Sequence, residues 1–331
     1  MPEGGVHATV VVLHGGYWKN KYGLDDAYGN AGIASLAPFF LQRSFAVVEL
    51  EYRRRDHEGG GWPGTNEDVL AALKHMTALQ QSAADAVDER MQAAQKALKC
   101  EKLLLVGHSA GACLALWAAH QLVPKPLVLA AAPVADLVRA HEMRVSDEGD
   151  AVELYMRQAP DGPSAESEYR KASPAALLPV QFPLLVAYGD KDADVPPQLV
   201  ADYAQAAQSQ SPELVSIAKI PDADHFDVVN ASSKAWIDYI VPSLADLAAS
   251  ELQEVSSHRC KRDGGCHLWA TSSKRGEFLT ARVESLGKPT YFVDVSCRQS
   301  DVILQYIYWF QQGHTLRHEV FKLANAVYPA C

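Results

Sequence analysis

Leu103-Leu104-Leu105-Val106-Gly107-His108-Ser109-Ala110-Gly111-Ala112-Cys113-Leu114 is the stretch that decides the fold. Its four leading apolar residues suit a strand buried on both faces, and the run from Ala110 to Leu122 suits a helix. Between them stands Gly-x-Ser-x-Gly, with Gly107 and Gly111 flanking Ser109. A strand that turns sharply into a helix needs small residues around the turn, so that the serine takes a strained backbone conformation and lifts its hydroxyl above the sheet. The helix start beneath it favours developing negative charge. At such a junction Ser109 reads as a nucleophile.

Outward from this elbow the chain alternates strand and helix. Short, nearly all-apolar runs at Ala8–Leu13, Phe45–Glu51, Lys102–Val106, Leu127–Ala131, Leu184–Tyr188 and Leu214–Ile220 predict buried strands. Helices are expected from Thr65, where Asp68 three residues on completes a capping pattern, and over Ala110–Leu122, Pro197–Gln208 and Ser233–Ser250. This alternation predicts a doubly wound, mostly parallel α/β sheet over residues 1–250. The polar segment 135–179 interrupts the rhythm and is a candidate lid at the ligand-binding edge. After residue 250 the texture changes. Ser256–Gly265 reads as a linker, followed by Phe278–Val283, Tyr291–Val295, an aromatic run Val302–Phe310 expected to be helical, and a last helix His314–Val327. Residues 251–331 thus form a C-terminal extension of unassigned function.

Composition narrows the partners. A formal net charge of −10 repels nucleic acid and anionic membranes, and the basic run Arg53-Arg54-Arg55 reads as a solvated loop. Neither a signal-peptide pattern nor an apolar stretch of membrane-spanning length is visible, and the scattered cysteines fit a reduced, cytoplasmic chain. His258, Cys260, Cys266 and His267 are ligand types that zinc prefers, but their spacing matches no closed structural site, so no metal is expected.

Three further stretches carry chemistry. His14-Gly15-Gly16-Tyr17-Trp18 follows the first strand, where Gly15 and Gly16 let backbone N–H groups join that of Ala110 in holding an oxyanion. His14 reads as a brace for this loop. The acid follows the strand Leu184–Tyr188, where Asp190, Asp192 and Asp194 compete; the spacing Gly189-x-x-Asp192-x-x-Val195-Pro196 selects Asp192. The base is His225, on the loop after Leu214–Ile220, while His108 inside the elbow reads as packing. Tyr17, Trp18 and Trp62 are candidates either to line an acyl or aryl pocket or to pack.

Taken with the stretch Glu51-Tyr52-Arg53-Arg54, with Gly59-Gly60-Gly61-Trp62-Pro63-Gly64-Thr65 and with Asp68, these motifs make residues 8–250 similar to α/β-hydrolases of the kynurenine formamidase and small carboxylesterase type. The resemblance implies hydrolysis of a small acyl ester or an N-formyl aromatic amide without a cofactor. It also implies strands ahead of the oxyanion-loop strand. Fewer than ten residues precede that strand here: either the sheet is N-terminally short, leaving an edge that the extension is a candidate to cover, or the chain lacks its natural start. The remaining readings are a non-catalytic binding protein of this fold and a chain whose tail binds a protein partner.

Overall fold

The structure, a computed structural model, describes residues 6–24, 33–81, 89–248, 278–285, 290–299, 302–311 and 314–324. Six strands form its centre: β1 (Thr9–Leu13), β2 (Ala46–Leu50), β3 (Leu103–His108), β4 (Leu127–Ala131), β5 (Leu184–Gly189) and β6 (Val215–Ile220). All six pair in parallel in the order β2-β1-β3-β4-β5-β6. The chain steps from β1 outward to β2 and returns to β3 on the other side. This reversal leaves a crevice at the carboxyl ends of β1 and β3, the place where α/β sheets bind ligands.

Helices cover both faces: α1 (Leu36–Leu41), α2 (Gly64–Gln81), α3 (Glu89–Ala97), α4 (Ala110–Gln121) and α8 (Pro197–Gln210), with α5 (Leu137–Glu142), α6 (Ala151–Met156) and α7 (Pro163–Ala172) forming the insertion between β4 and β5. Along β1 the side chains alternate between two cores. Val11 and Leu13 join the one under α2 and α4, while Val10 and Val12 join the one that holds Phe40 and Trp236. Burial of both faces is why these strands read as unbroken apolar runs rather than alternating ones.

Several expectations need correction. The α2 start is at Gly64, and Thr65 and Asp68 do not form a capping box. Thr65 accepts from the Gly61 N–H and donates to the Arg53 carbonyl, and Asp68 grips the Arg53 guanidinium by two 2.7 Å bonds. The arginine run is not a solvated loop. Its side chains are only 17, 13 and 8 % exposed in order, and they pair with Asp68, Glu51, and Asp56 together with Asp150. The last helix of the α/β portion opens as a π-helix, Ala235–Ile240, before an α-helix over residues 241–248.

The tail is β rather than α. Val302–Phe310 and His314–Val327 were expected to be helical; instead β7 (Phe278–Ser285), β8 (Thr290–Gln299), β9 (Val302–Gln311) and β10 (His314–Ala324) run in antiparallel succession. The physical reason lies in the run itself: Val302, Ile303, Tyr306, Ile307, Tyr308, Trp309 and Phe310 are β-branched or aromatic, and periodicity alone does not separate a buried strand from a helix in such a stretch. β7 pairs in parallel with β2, from Val47 opposite Thr280 to Leu50 opposite Val283. The linker Ser256–Gly265 and the residues His258, Cys260, Cys266 and His267 lie outside the described residues.

Candidate active site

β3 delivers Ser109 at its carboxyl end. The residue sits at φ 57° and ψ −120°, a strained conformation for a side chain with a Cβ, while its N–H bonds the Ala131 carbonyl at 2.8 Å. The flanking glycines serve close approach. A Cβ on Gly111 would come within 2.2 Å of the His14 carbonyl oxygen, and one on Gly107 within 2.5 Å of the Ala112 Cα. Gly111 therefore lets α4 press against the end of β1, which brings the nucleophile helix and the oxyanion loop together. The first N–H groups of α4, beginning with Ala110, have no acceptor within the helix.

β5 and β6 deliver the other two groups. His225 Nδ1 lies 2.7 Å from Asp192 Oδ2, and Asp192 Oδ1 accepts from the N–H groups of Asp194 and Val195 at 2.9 and 2.8 Å. A carboxylate at Nδ1 keeps the proton there and leaves Nε2 free to accept one. Ser109, Asp192 and His225 are 1, 6 and 3 % exposed, so they are shielded from bulk solvent and their electrostatic coupling is strong. Asp190 is engaged elsewhere, accepting from the Asp222 N–H at 2.8 Å. Asp194 offers its carbonyl to the Tyr17 hydroxyl at 2.7 Å. Burial, with the neighbouring Asp192 charge, holds the Asp194 carboxyl above its ordinary range, partly offset by His225. Asp192, Asp194 and His225 have ligand atoms within 4.8 Å of one another, the donor set a cation would use, although Asp192 already accepts three hydrogen bonds.

The oxyanion loop is braced from below. His14 bonds Glu51 Oε1 through Nε2 and the Gly15 carbonyl through Nδ1, each at 2.8 Å, and its ring stacks on Tyr52 at 4.4 Å. Turning the Gly15 carbonyl towards His14 points the Gly16 N–H the opposite way across a trans peptide. Gly16 has φ 97°, where a side chain would also strike Tyr22 at 2.3 Å, and Tyr17 and Trp18 continue at φ 52° and 57°. Burial opposes the Glu51 charge, but the His14 charge and hydrogen bond, with Arg54, outweigh it and hold its pKa at about 2.

Of the three aromatic candidates, only Tyr17 touches the site's loops. Trp18 is fully buried and stacks on Tyr155 of the insertion at 4.1 Å, so it belongs to the core and not to a pocket wall. Trp62, just ahead of α2, donates to Glu168 of α7 at 2.8 Å and meets Trp117 of α4 edge to face at 5.9 Å, which ties this loop to the insertion and to α4. Sequence reasoning missed three participants. Glu51 is separated from His14 by a strand and a helix, Tyr52 donates to the His14 carbonyl at 2.7 Å, and His108 bonds the His225 carbonyl at 2.8 Å. Two sequence signals mark Glu51, its place at the end of the apolar run Phe45–Glu51 and the stretch Glu51-Tyr52-Arg53-Arg54 that carries the resemblance, and neither points to His14.

Known proteins share this fold. The model of the prolyl oligopeptidase family matches residues 34–242, well over half of the 331. Esterase B from Lactobacillus rhamnosis superposes with a TM-score of 0.55 at 18 % identity, over 78 % of this chain and 81 % of that one. A truncated carbohydrate esterase from gut microbiota gives 0.54 at 15 % identity, over 74 % and 86 %. The bifunctional GH43-CE protein of Bacteroides eggerthii also gives 0.54, at 17 % identity, over 73 % of this chain and 34 % of that one. A search of curated proteins finds no match. Fold, site geometry and family match converge: the chain belongs to the prolyl oligopeptidase family, and it is a serine hydrolase with the α/β-hydrolase fold.

Proposed function

We propose that the chain is an esterase-type hydrolase in which Ser109 attacks, His225 accepts its proton and Asp192 orients and stabilises the imidazolium. The N–H groups of Gly15, Gly16 and Ala110 receive the oxyanion. Attack at a carbonyl carbon forms the Ser109 ester as His225 Nε2 takes the hydroxyl proton and returns it to the leaving alcohol or amine. Water, activated by the same histidine, then releases the acid and restores Ser109. No cofactor enters this cycle. The observation that carries the reading is the buried 2.7 Å contact between Asp192 and His225 at the same end of the sheet as the strained Ser109 elbow.

The substrate class that the site fits is a small acyl ester or an N-formyl aromatic amide. The His14–Trp18 motif supports it, and so does Tyr17, whose phenol reaches the acid loop. The insertion over residues 135–179 serves as the lid: Lys19 pairs with Glu148, Arg157 donates to the Gly60 carbonyl at 2.6 Å, and both contacts hold the insertion against the loops that flank the site. Residues 1–250 are then the hydrolase unit, to which 251–331 add an edge. Cys113 is a buried free cysteine, which fits a cytoplasmic setting, and no helix among the described residues is long and apolar enough to cross a membrane. Steady-state assays with N-formylkynurenine, short p-nitrophenyl esters and a prolyl p-nitroanilide peptide test the choice. The largest kcat/KM is expected for the formamide or a short ester; preference for the peptide would overturn it.

A further inference from the structure

We propose that His108, the residue beside the nucleophile, is a positioning residue for the general base, its Nε2–H holding the main-chain carbonyl of His225 in place. The inference rests on the assignment of Ser109 and His225 above.

The bond is 2.8 Å long, and a carbonyl only accepts, so His108 must carry its proton on Nε2. The residue is 1 % exposed, and its ring lies 4.5 Å from that of His225 and 5.6 Å from that of Phe226. That bond ties the loop of the base directly to the elbow. Asp192 fixes the His225 ring through Nδ1, but it stands on the loop after β5, and His225 on the loop after β6. Ser109 follows β3, and β4 and β5 lie between β3 and β6 in the sheet. At roughly 4.8 Å per strand, register between nucleophile and base would otherwise be carried across about 14 Å of intervening sheet and two loops. His108 replaces that path with one hydrogen bond from the residue adjacent to Ser109.

The ring is suited to the task because it stays neutral. Burial lowers its basicity well below the ordinary histidine range, and the neighbouring His225 acts in the same direction. A charged His108 would oppose the imidazolium that forms on His225 during turnover; the neutral Nε2–H tautomer donates its bond without that repulsion. An aliphatic residue would fill the space and lose the donor. Glutamine, whose amide nitrogen reaches the position of an imidazole Nε2, would keep it.

The test compares full-length wild type, His108→Leu, His108→Asn and His108→Gln for the rate at which a fluorophosphonate modifies Ser109, and for kcat and KM on a p-nitrophenyl ester, with Tm recorded for each. His108→Leu is expected to slow modification and kcat by about a hundredfold, the cost of an ångström-scale misplacement, with KM little changed. His108→Asn, whose amide stops short of the carbonyl, is expected to behave like Leu and covers the case that Leu does not fold. His108→Gln is expected to recover to within about tenfold of wild type. A folded Leu or Asn variant within about threefold of wild type, or a folded Gln variant no faster than these, would overturn the proposal. Wild type that fails to react at Ser109 would overturn the triad assignment, and this inference with it.

Discussion

Replacing Asp192 by Asn changes one atom at the centre of the site and little else. Asn Oδ1 still accepts from the N–H groups of Asp194 and Val195, which keeps the loop in place. At the other position an NH2 now faces His225 Nδ1, 2.7 Å away, and can only donate. Nδ1 must become the acceptor, the ring proton moves to Nε2, and the base is blocked at the atom that has to take the Ser109 proton. The substitution also removes the charge that balances the imidazolium. With ~4 Å between charge centres and an effective dielectric of ~20, that attraction is about 4 kcal/mol. A loss of this size is about a thousandfold in rate, and the tautomer shift adds to it. The expected fall in kcat for ester hydrolysis at neutral pH is therefore three to four orders of magnitude (about 10³ to 10⁴), with KM changing far less. Asp190→Asn and Asp194→Asn, measured alongside, are expected to stay within about tenfold of wild type. If Asp192→Asn kept more than about a tenth of wild-type kcat, or if Asp194→Asn proved the more damaging change, the reasoning would be refuted.

Three other outcomes follow from the same geometry. His225→Ala should cost several orders of magnitude in kcat, and combining it with Ser109→Ala should cost little more, because nucleophile and base act as a unit; multiplicative losses in the double variant would contradict this. Glu51 has a depressed pKa, so its pairing with His14 stabilises the fold above the ordinary carboxylate range and is lost as pH falls from about 4.5 towards about 2. Glu51→Gln should therefore be less stable than wild type at pH 7 by about 3 kcal/mol, with the difference shrinking in acid; denaturant unfolding at both pH values checks it, and a constant difference speaks against the ion pair. A chain ending at Ser250 loses β7 and bares the backbone edge of β2, so it should aggregate; light scattering that shows a soluble, fully active protein would mean the extension is dispensable.

The central fold was legible because its signals are local. All six strands begin and end within two residues of the apolar runs at Ala8–Leu13 through Leu214–Ile220, since burial on both faces writes itself as unbroken hydrophobicity. Ser109, Asp192 and His225 stand out because each follows such a strand. What stayed hidden depends on contacts distant in sequence. Glu51 reaches His14 across 37 residues, His108 reaches His225 across 117, and Tyr17 reaches Asp194 across 177. Nothing near Trp18 distinguishes a pocket aromatic from one stacked on Tyr155. The tail is illegible in sequence for a related reason: an aromatic, β-branched run carries no usable period, and the partner that makes it a strand lies elsewhere in the chain.

Ser109 as the nucleophile is the centre of this chemistry. Full-length protein treated with a fluorophosphonate should gain one adduct mass in the intact mass spectrum, peptide mapping should place it on Ser109, and hydrolysis of a p-nitrophenyl ester should cease in step with labelling. Ser109→Ala should take up no label while keeping the wild-type Tm. An adduct on another serine, or a wild-type protein that hydrolyses ester while remaining unlabelled, would contradict it.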